Sequence, residues 1–213
     1  MEKVWSIQYL RAIAALGVVI FHSLESSEHR FIVGQAGVDL FFIISGFIMA
    51  SLMSGPEGKP GIFLGRRLLR IVPLYWIATF AALFVTWIKP NFFRSMDPSV
   101  SNTILSLFFI PHESATGIAP VLWQGWTLEY EMFFYGLCAL ALLLAPAAYR
   151  LWVLCAALAA LVVVGRVAPL SGGLARVYTN PLLLEFVAGI ALAAAWRRKL
   201  ALPWTIGAVS IAA

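Results

Sequence analysis

An all-α, polytopic transmembrane helical bundle is the architecture expected of this chain, and three features carry that expectation. Of its 213 residues, 62% are hydrophobic and only 12% are charged, a balance foreign to a soluble domain with one buried core. The apolar residues fall in runs long enough to cross a hydrocarbon layer, which takes about 20 mostly apolar residues, or somewhat fewer with interfacial flanks. The basic residues cluster between those runs, where they determine topology. That clustering also excludes nucleic acid as a partner, despite a formal net charge of +5.

Taken in order, the runs are 7–22, 37–53, 71–88, 125–145, 151–168 and 181–196, and a seventh starts near Leu202 and is still apolar at Ala213. The first, in "YLRAIAALGVVIFHS", resembles the basic and apolar regions of a signal peptide. Arg11 interrupts it and no small-x-small cleavage site follows His22, so it reads as a permanent helix. The second, "GVDLFFIISGFIMA", carries Asp39; the third follows the turn "SGPEGKPG" and the basic stretch "RRLLR". Residues 103–111, "TILSLFFIP", are too few to span and sit in the long 89–124 connection. They form a re-entrant, interfacial or docking piece. "LWQGWTLEYEMFFYG" opens the fourth run, and Cys138 and Cys155 lie inside apolar runs with no metal-like spacing, as small hydrophobes do. Without internal repeats, low-complexity tracts or a soluble segment, residues 1–213 read as a single membrane-embedded domain.

Charge sets the expected orientation. With the N-terminus cytoplasmic, the inside segments hold nine cations: Lys3, Lys59, Arg66, Arg67, Arg70, Arg150, Arg197, Arg198 and Lys199. The outside segments hold five, namely Arg30, Lys89, Arg94, Arg166 and Arg176. The positive-inside bias therefore favours a cytoplasmic N-terminus, with the loops after His22 and Ile88 on the outer face.

Several ionisable residues need a reason. Arg11 and His22 are eleven positions apart, three helical turns plus about 20°, so they share one helix face roughly 16 Å apart along the axis. Arg11 then lies near the cytoplasmic edge and His22 near the outer one. Snorkelling and interfacial anchoring would account for both; ionisable groups in membrane helices also mark functional pathways. Asp39 needs a partner, for which Arg11 or another basic group is the least costly candidate. Arg66 and Arg70, four apart, share a face, and with Arg67 they are either orientation signals or a clamp for phosphate. "GPEGKP" lacks the spacing of a phosphate-binding loop. Glu129 and Glu131 point about 200° apart on a helix and cannot both face one site. Trp123 and Trp126 suit an interfacial belt, or a platform for sugar rings.

Together these pieces resemble the acyltransferase-3 family of integral membrane O-acyltransferases, nearest its exopolysaccharide-production branch. Arg11 and His22 match the family's arginine-ten residues-histidine motif, "GVDLFFIISGF" its second-span signature and "RRLLRIVPLYW" its basic approach to the third span. "WTLEYEMFFY" resembles the pattern Trp-Ser/Thr-Leu-x-x-Glu-x-x-Phe-Tyr, which selects Glu131 over Glu129, and "NPLLLEFVAG", with Glu185, resembles a later segment. Each motif alone is weak; four in the right order and spacing are strong. The family usually has about ten spans, so the chain reads as about seven spans truncated from about ten.

The resemblance implies transfer of an acyl group, acetyl being expected, from cytoplasmic acyl-CoA to a sugar hydroxyl on the outer face of a bacterial plasma membrane. The acceptor would be a polysaccharide or lipid-linked sugar, with no bound cofactor and no metal. His22 would take the proton of the attacking hydroxyl, with a carboxylate such as Glu131 orienting it. Arg11, Asp39, Arg66, Arg67, Arg70 and Trp126 would bind substrates. A glycolipid or polysaccharide-precursor permease, with the same charges lining a translocation path, is the rival reading; a non-catalytic remnant is the third.

Overall fold

The computed structural model describes residues 5–24, 36–53, 55, 59–90, 92–93, 96–114, 117–168 and 170–198, without the side chains of residues 22 and 24. Three helices come first: α1 (Trp5–Leu24), α2 (Ala36–Met53) and α3 (Pro60–Ile88). A short helix α4 (Val100–Leu107), a two-stranded hairpin of β1 (Glu113–Ser114) and β2 (Gly117–Ile118), and a 3-10 turn at Trp123–Gly125 follow. The chain then continues through α5 (Trp126–Leu144), α6 (Arg150–Val167), α7 (Gly173–Tyr178) and α8 (Leu183–Arg197). Five stretches are long and apolar enough to cross a membrane: Ala36–Met53, Pro60–Ile88, Trp123–Leu144, Arg150–Val167 and Gly173–Arg197. Trp5–Phe21 is a shorter apolar helix. The fold is the all-α polytopic bundle that composition implied. The run starting near Leu202 lies outside the described residues.

The chain divides into two compact units, Met1–Leu52 with Glu185–Ala213, and Met53–Leu184. In the first, α2 and α8 cross so closely that a Cβ on Gly46 would stand 2.2 Å from the Phe186 carbonyl oxygen, and one on Gly189 2.0 Å from that of Ile43. Small residues are what allow membrane helices such approach. The Phe42 and Phe186 rings pack beside the crossing with centroids 4.8 Å apart. Gly37, in the first turn of α2, lies against Ala14 and Val18 of α1.

In the second unit α3 is the long element. Lys59 is extended and Pro60 occupies the first turn, where its preset φ suits the helix and its missing N–H is not needed. Twenty-nine residues rise about 43 Å, more than the ~30 Å hydrocarbon core, so the arginines of "RRLLR" ride on the span's own first turns. Pro73 sits inside this helix without ending it, as membrane helices tolerate. Leu69, Leu74, Ile77, Phe80, Phe84 and Trp87 are exposed along α3. In a bilayer such a face meets lipid; in water it would be an association site.

The 89–124 connection folds back onto the far half of α3. Ser99 caps α4 by accepting from the Asn102 N–H at 3.3 Å. The Trp76 indole donates to the Leu107 carbonyl at 2.9 Å, the Tyr75 and Phe109 rings pack at 4.7 Å, and the Ser106 hydroxyl accepts from the Val121 N–H at 2.8 Å. Of the three roles open to "TILSLFFIP", the structure shows the docking segment. Phe109 takes the left-handed backbone that ends α4, φ 57°, and is buried in exchange. α5 packs on α3 and α6, and Cys138 at their centre is fully buried.

Candidate active site

Within the first unit, α1 is one unbroken helix from Trp5 to Leu24. Its backbone therefore keeps the spacing expected of Arg11 and His22, with His22 in the last turn. Arg11 is half-buried; the His22 side chain lies outside what is described. Asp39 starts α2 and Glu185 starts α8, each in its helix's first turn. A carboxylate is stabilised there by the unpaired N–H groups. Glu185 lies within hydrogen-bonding reach of Asp39.

Within the second unit, the three arginines separate by exposure. Arg66 and Arg70 are exposed on one face of α3, whereas Arg67 is half-buried with its guanidinium 5.9 Å from the Phe63 ring centroid. Arg67 also comes near enough to Cys138 of α5 to act on it electrostatically. It serves the α3–α5 interface as well as the charged rim.

At the other end of this unit, Trp126 is half-buried at the start of α5, edge-on to Tyr130 with ring centroids 5.9 Å apart. Glu131 is half-buried and accepts a hydrogen bond from the Tyr135 hydroxyl one turn on. Glu129 points the other way, as two positions on a helix require. It is only 2% exposed, and its Oε1 is buried with no hydrogen-bond partner. The family motif gives no reason to single it out; burial does. His112, also missed by spacing and motif, is 7% exposed, with Nδ1 2.9 Å from the Ile110 carbonyl oxygen. A carbonyl only accepts, so Nδ1 carries the hydrogen, and Nε2 is buried without a partner. Among the described residues, no group of three His, Cys, Asp or Glu side chains is placed to hold a metal ion.

The family model described as "Acyltransferase domain", that of the acyltransferase-3 family, matches residues 4–213. The chain belongs to the acyltransferase-3 family. Its curated relatives include the exopolysaccharide production protein ExoZ of Rhizobium meliloti (strain 1021), 38% identical over 196 residues, 91% of this chain and 61% of that protein. A Staphylococcus aureus (strain COL) protein named "Putative O-acetyltransferase SACOL0978" is 37% identical over 34% of this chain and 12% of its own length. A Komagataeibacter xylinus protein named "Putative membrane-bound transacylase BcsY" is 30% identical over 64% of this chain and 36% of its own length. The acyltransferase-3 chain thus spans about three fifths of ExoZ. No solved structure gives a significant match.

Proposed function

We propose that the chain transfers an acyl group, acetyl in the first instance, from acyl-CoA on the cytoplasmic side to a hydroxyl of a cell-surface or exopolysaccharide sugar. The observation that carries this reading is the unbroken α1, which holds a cation and an imidazole-bearing residue on one face about 16 Å apart. Family membership and the likeness to ExoZ support the acyl chemistry and the polysaccharide acceptor. Arg66 and Arg70 meet the phosphates of the nucleotide end, since guanidinium forks suit phosphate oxygens. His22 takes the proton from the acceptor hydroxyl as its oxygen attacks the thioester carbonyl, and returns it to the departing thiolate. Glu131 is the carboxylate the motif assigns, and its bond to Tyr135 holds its rotamer.

The direct test uses washed membranes carrying the chain, radiolabelled acetyl-CoA and exopolysaccharide stripped of esters by mild alkali. Alkali-labile label should appear in the polymer. A correctly inserted chain that leaves the polymer unlabelled would refute the reading.

The donor clamp separates from mere orientation by an arginine-to-lysine series. Lysine preserves the positive-inside signal but loses the two-pronged contact, about 1–3 kcal/mol per charged hydrogen bond. The apparent KM for acetyl-CoA is expected to rise about tenfold in Arg70→Lys, with topology unchanged. Wild-type donor KM in Arg66→Lys, Arg67→Lys and Arg70→Lys alike would leave the cluster an orientation signal.

The orientation itself, N-terminus inside a bacterial plasma membrane, has its own check. Single cysteines at Ser27 and Gly58 should label from opposite sides with an impermeant maleimide, Ser27 from outside. Labelling from one side only would overturn the nine-to-five charge argument.

A further inference from the structure

Two buried oxygens in the second unit have no part in the chemistry above: Glu129 Oε1 on α5, which has no hydrogen-bond partner, and Thr79 Oγ1 on α3, which has the Tyr75 hydroxyl within reach. Glu129 is 2% exposed and Thr79 fully buried. Leaving a buried carboxyl oxygen unsatisfied is costly, more so when the group is charged, and in an apolar surround nothing else repays it. The space around them is rich in hydroxyls. Tyr75, one turn before Thr79, is buried beside Ser106 and Thr79, and the Glu129 carboxyl is near enough to act electrostatically on the phenols of Tyr75, Tyr130 and Tyr178. Tyr178 is itself held in place, stacked on Phe133 with centroids 4.0 Å apart.

The aromatic rim completes the chemistry. Trp126 is three positions before Glu129 on the same helix, so the two share a face about 4.5 Å apart along the axis. Trp126 is half-buried and Glu129 is buried one turn further along the helix. A flat apolar face beside a carboxyl and a ring of hydroxyls is complementary to a pyranose, which has an apolar C–H face and hydroxyls at its edge that both donate and accept. A lipid tail would leave Glu129 Oε1 unsatisfied, and a phosphate would face a carboxyl.

We propose that Glu129, Thr79 and Trp126 form the subsite that binds a sugar residue of the acceptor, its hydroxyls satisfying Glu129 Oε1 and bonding Thr79 Oγ1 beside the Trp126 ring. The proposal rests on the acyltransferase reading for the identity of the sugar as acceptor, and it adds where in the chain that sugar is held. Glu129 acts here as a binding residue, distinct in position and direction from Glu131.

The test is equilibrium binding, with no acyl donor present, of fluorescently labelled oligosaccharides prepared by partial hydrolysis of the producing cell's exopolysaccharide after alkaline removal of its esters. The solubilised full chain should bind them. Glu129→Leu should weaken binding at least tenfold, and Glu129→Gln and Thr79→Val, which keep shape, severalfold; all three should keep the wild-type KM for acetyl-CoA wherever transfer is measurable. Should Glu129→Leu fail to fold, the two shape-preserving variants decide. Binding within twofold of wild type in the folded variants, or no binding by the wild type, overturns the subsite. A wild-type chain that binds the oligosaccharide yet transfers nothing to it leaves the subsite standing and sinks the acyltransferase reading.

Discussion

A His22→Ala chain is expected to insert in the membrane at wild-type level and to transfer no measurable acyl group. The imidazole is the one group on α1 able to accept a proton at neutral pH, and positioned general bases contribute roughly 10²–10⁴-fold to rate. A sugar hydroxyl is a weak nucleophile until its proton is taken, so the loss should fall on kcat, with the donor KM within twofold of wild type. Its place in the last turn of α1 makes a folding effect small. The measurement is alkali-labile label in the polymer at saturating acetyl-CoA, with membrane-extracted protein as the control for insertion. Wild-type ester levels would reduce His22 to an interfacial anchor, the role its position alone would also allow.

The spans were legible because burial in lipid imposes one requirement, a long apolar run, that composition displays directly. The six expected runs coincide with α1, α2, α3, α5, α6 and α8. Where the reading differed in extent, a local rule was overridden. The apolar run begins at residue 71, after the arginines, yet the helix begins at Pro60 and passes through Pro73. In that stretch the intrahelical hydrogen bonds of a membrane helix outweigh the lost N–H. The docking of α4 was not legible. It depends on Trp76 reaching Leu107 and Ser106 reaching Val121, contacts across 15 and 31 positions that no periodicity records.

The site shows the same division. Helical spacing sufficed for Arg11 with His22, and for the opposed directions of Glu129 and Glu131, because both follow from 100° per residue. It could not say which of the two glutamates is enclosed, since that depends on what α3 and α7 bring against α5. Nor could it place Glu185 near Asp39, 146 positions away by number; the crossing of α2 and α8 brings two helix N-termini, and with them two carboxyls, to one place.

That crossing also yields the largest expected effect on stability. Gly46→Ala and Gly189→Ala should each destabilise the chain by about 3 kcal/mol or more, the upper part of the range for overpacking a well-packed core. At Gly46 the new Cβ would sit 2.2 Å from the Phe186 carbonyl oxygen and 3.0 Å from its Cα. At Gly189 it would sit 2.0 Å from the Ile43 oxygen and 2.8 Å from the Phe47 nitrogen. These are backbone atoms that cannot rotate away, so relief requires α2 and α8 to separate, and with them the Phe42–Phe186 contact. Gly61, Gly65 and Gly136 supply the internal control, because a Cβ there would meet nothing within 4 Å. Alanine at those positions should be neutral or stabilising by up to about 1 kcal/mol, the ordinary helix preference over glycine. Thermal aggregation in mild detergent, scored as soluble chain against temperature, separates the two groups. Equal midpoints for Gly46→Ala, Gly189→Ala and Gly136→Ala would mean that α2 and α8 do not approach as closely as described, and the Asp39–Glu185 pair at their N-termini would lose its geometric basis.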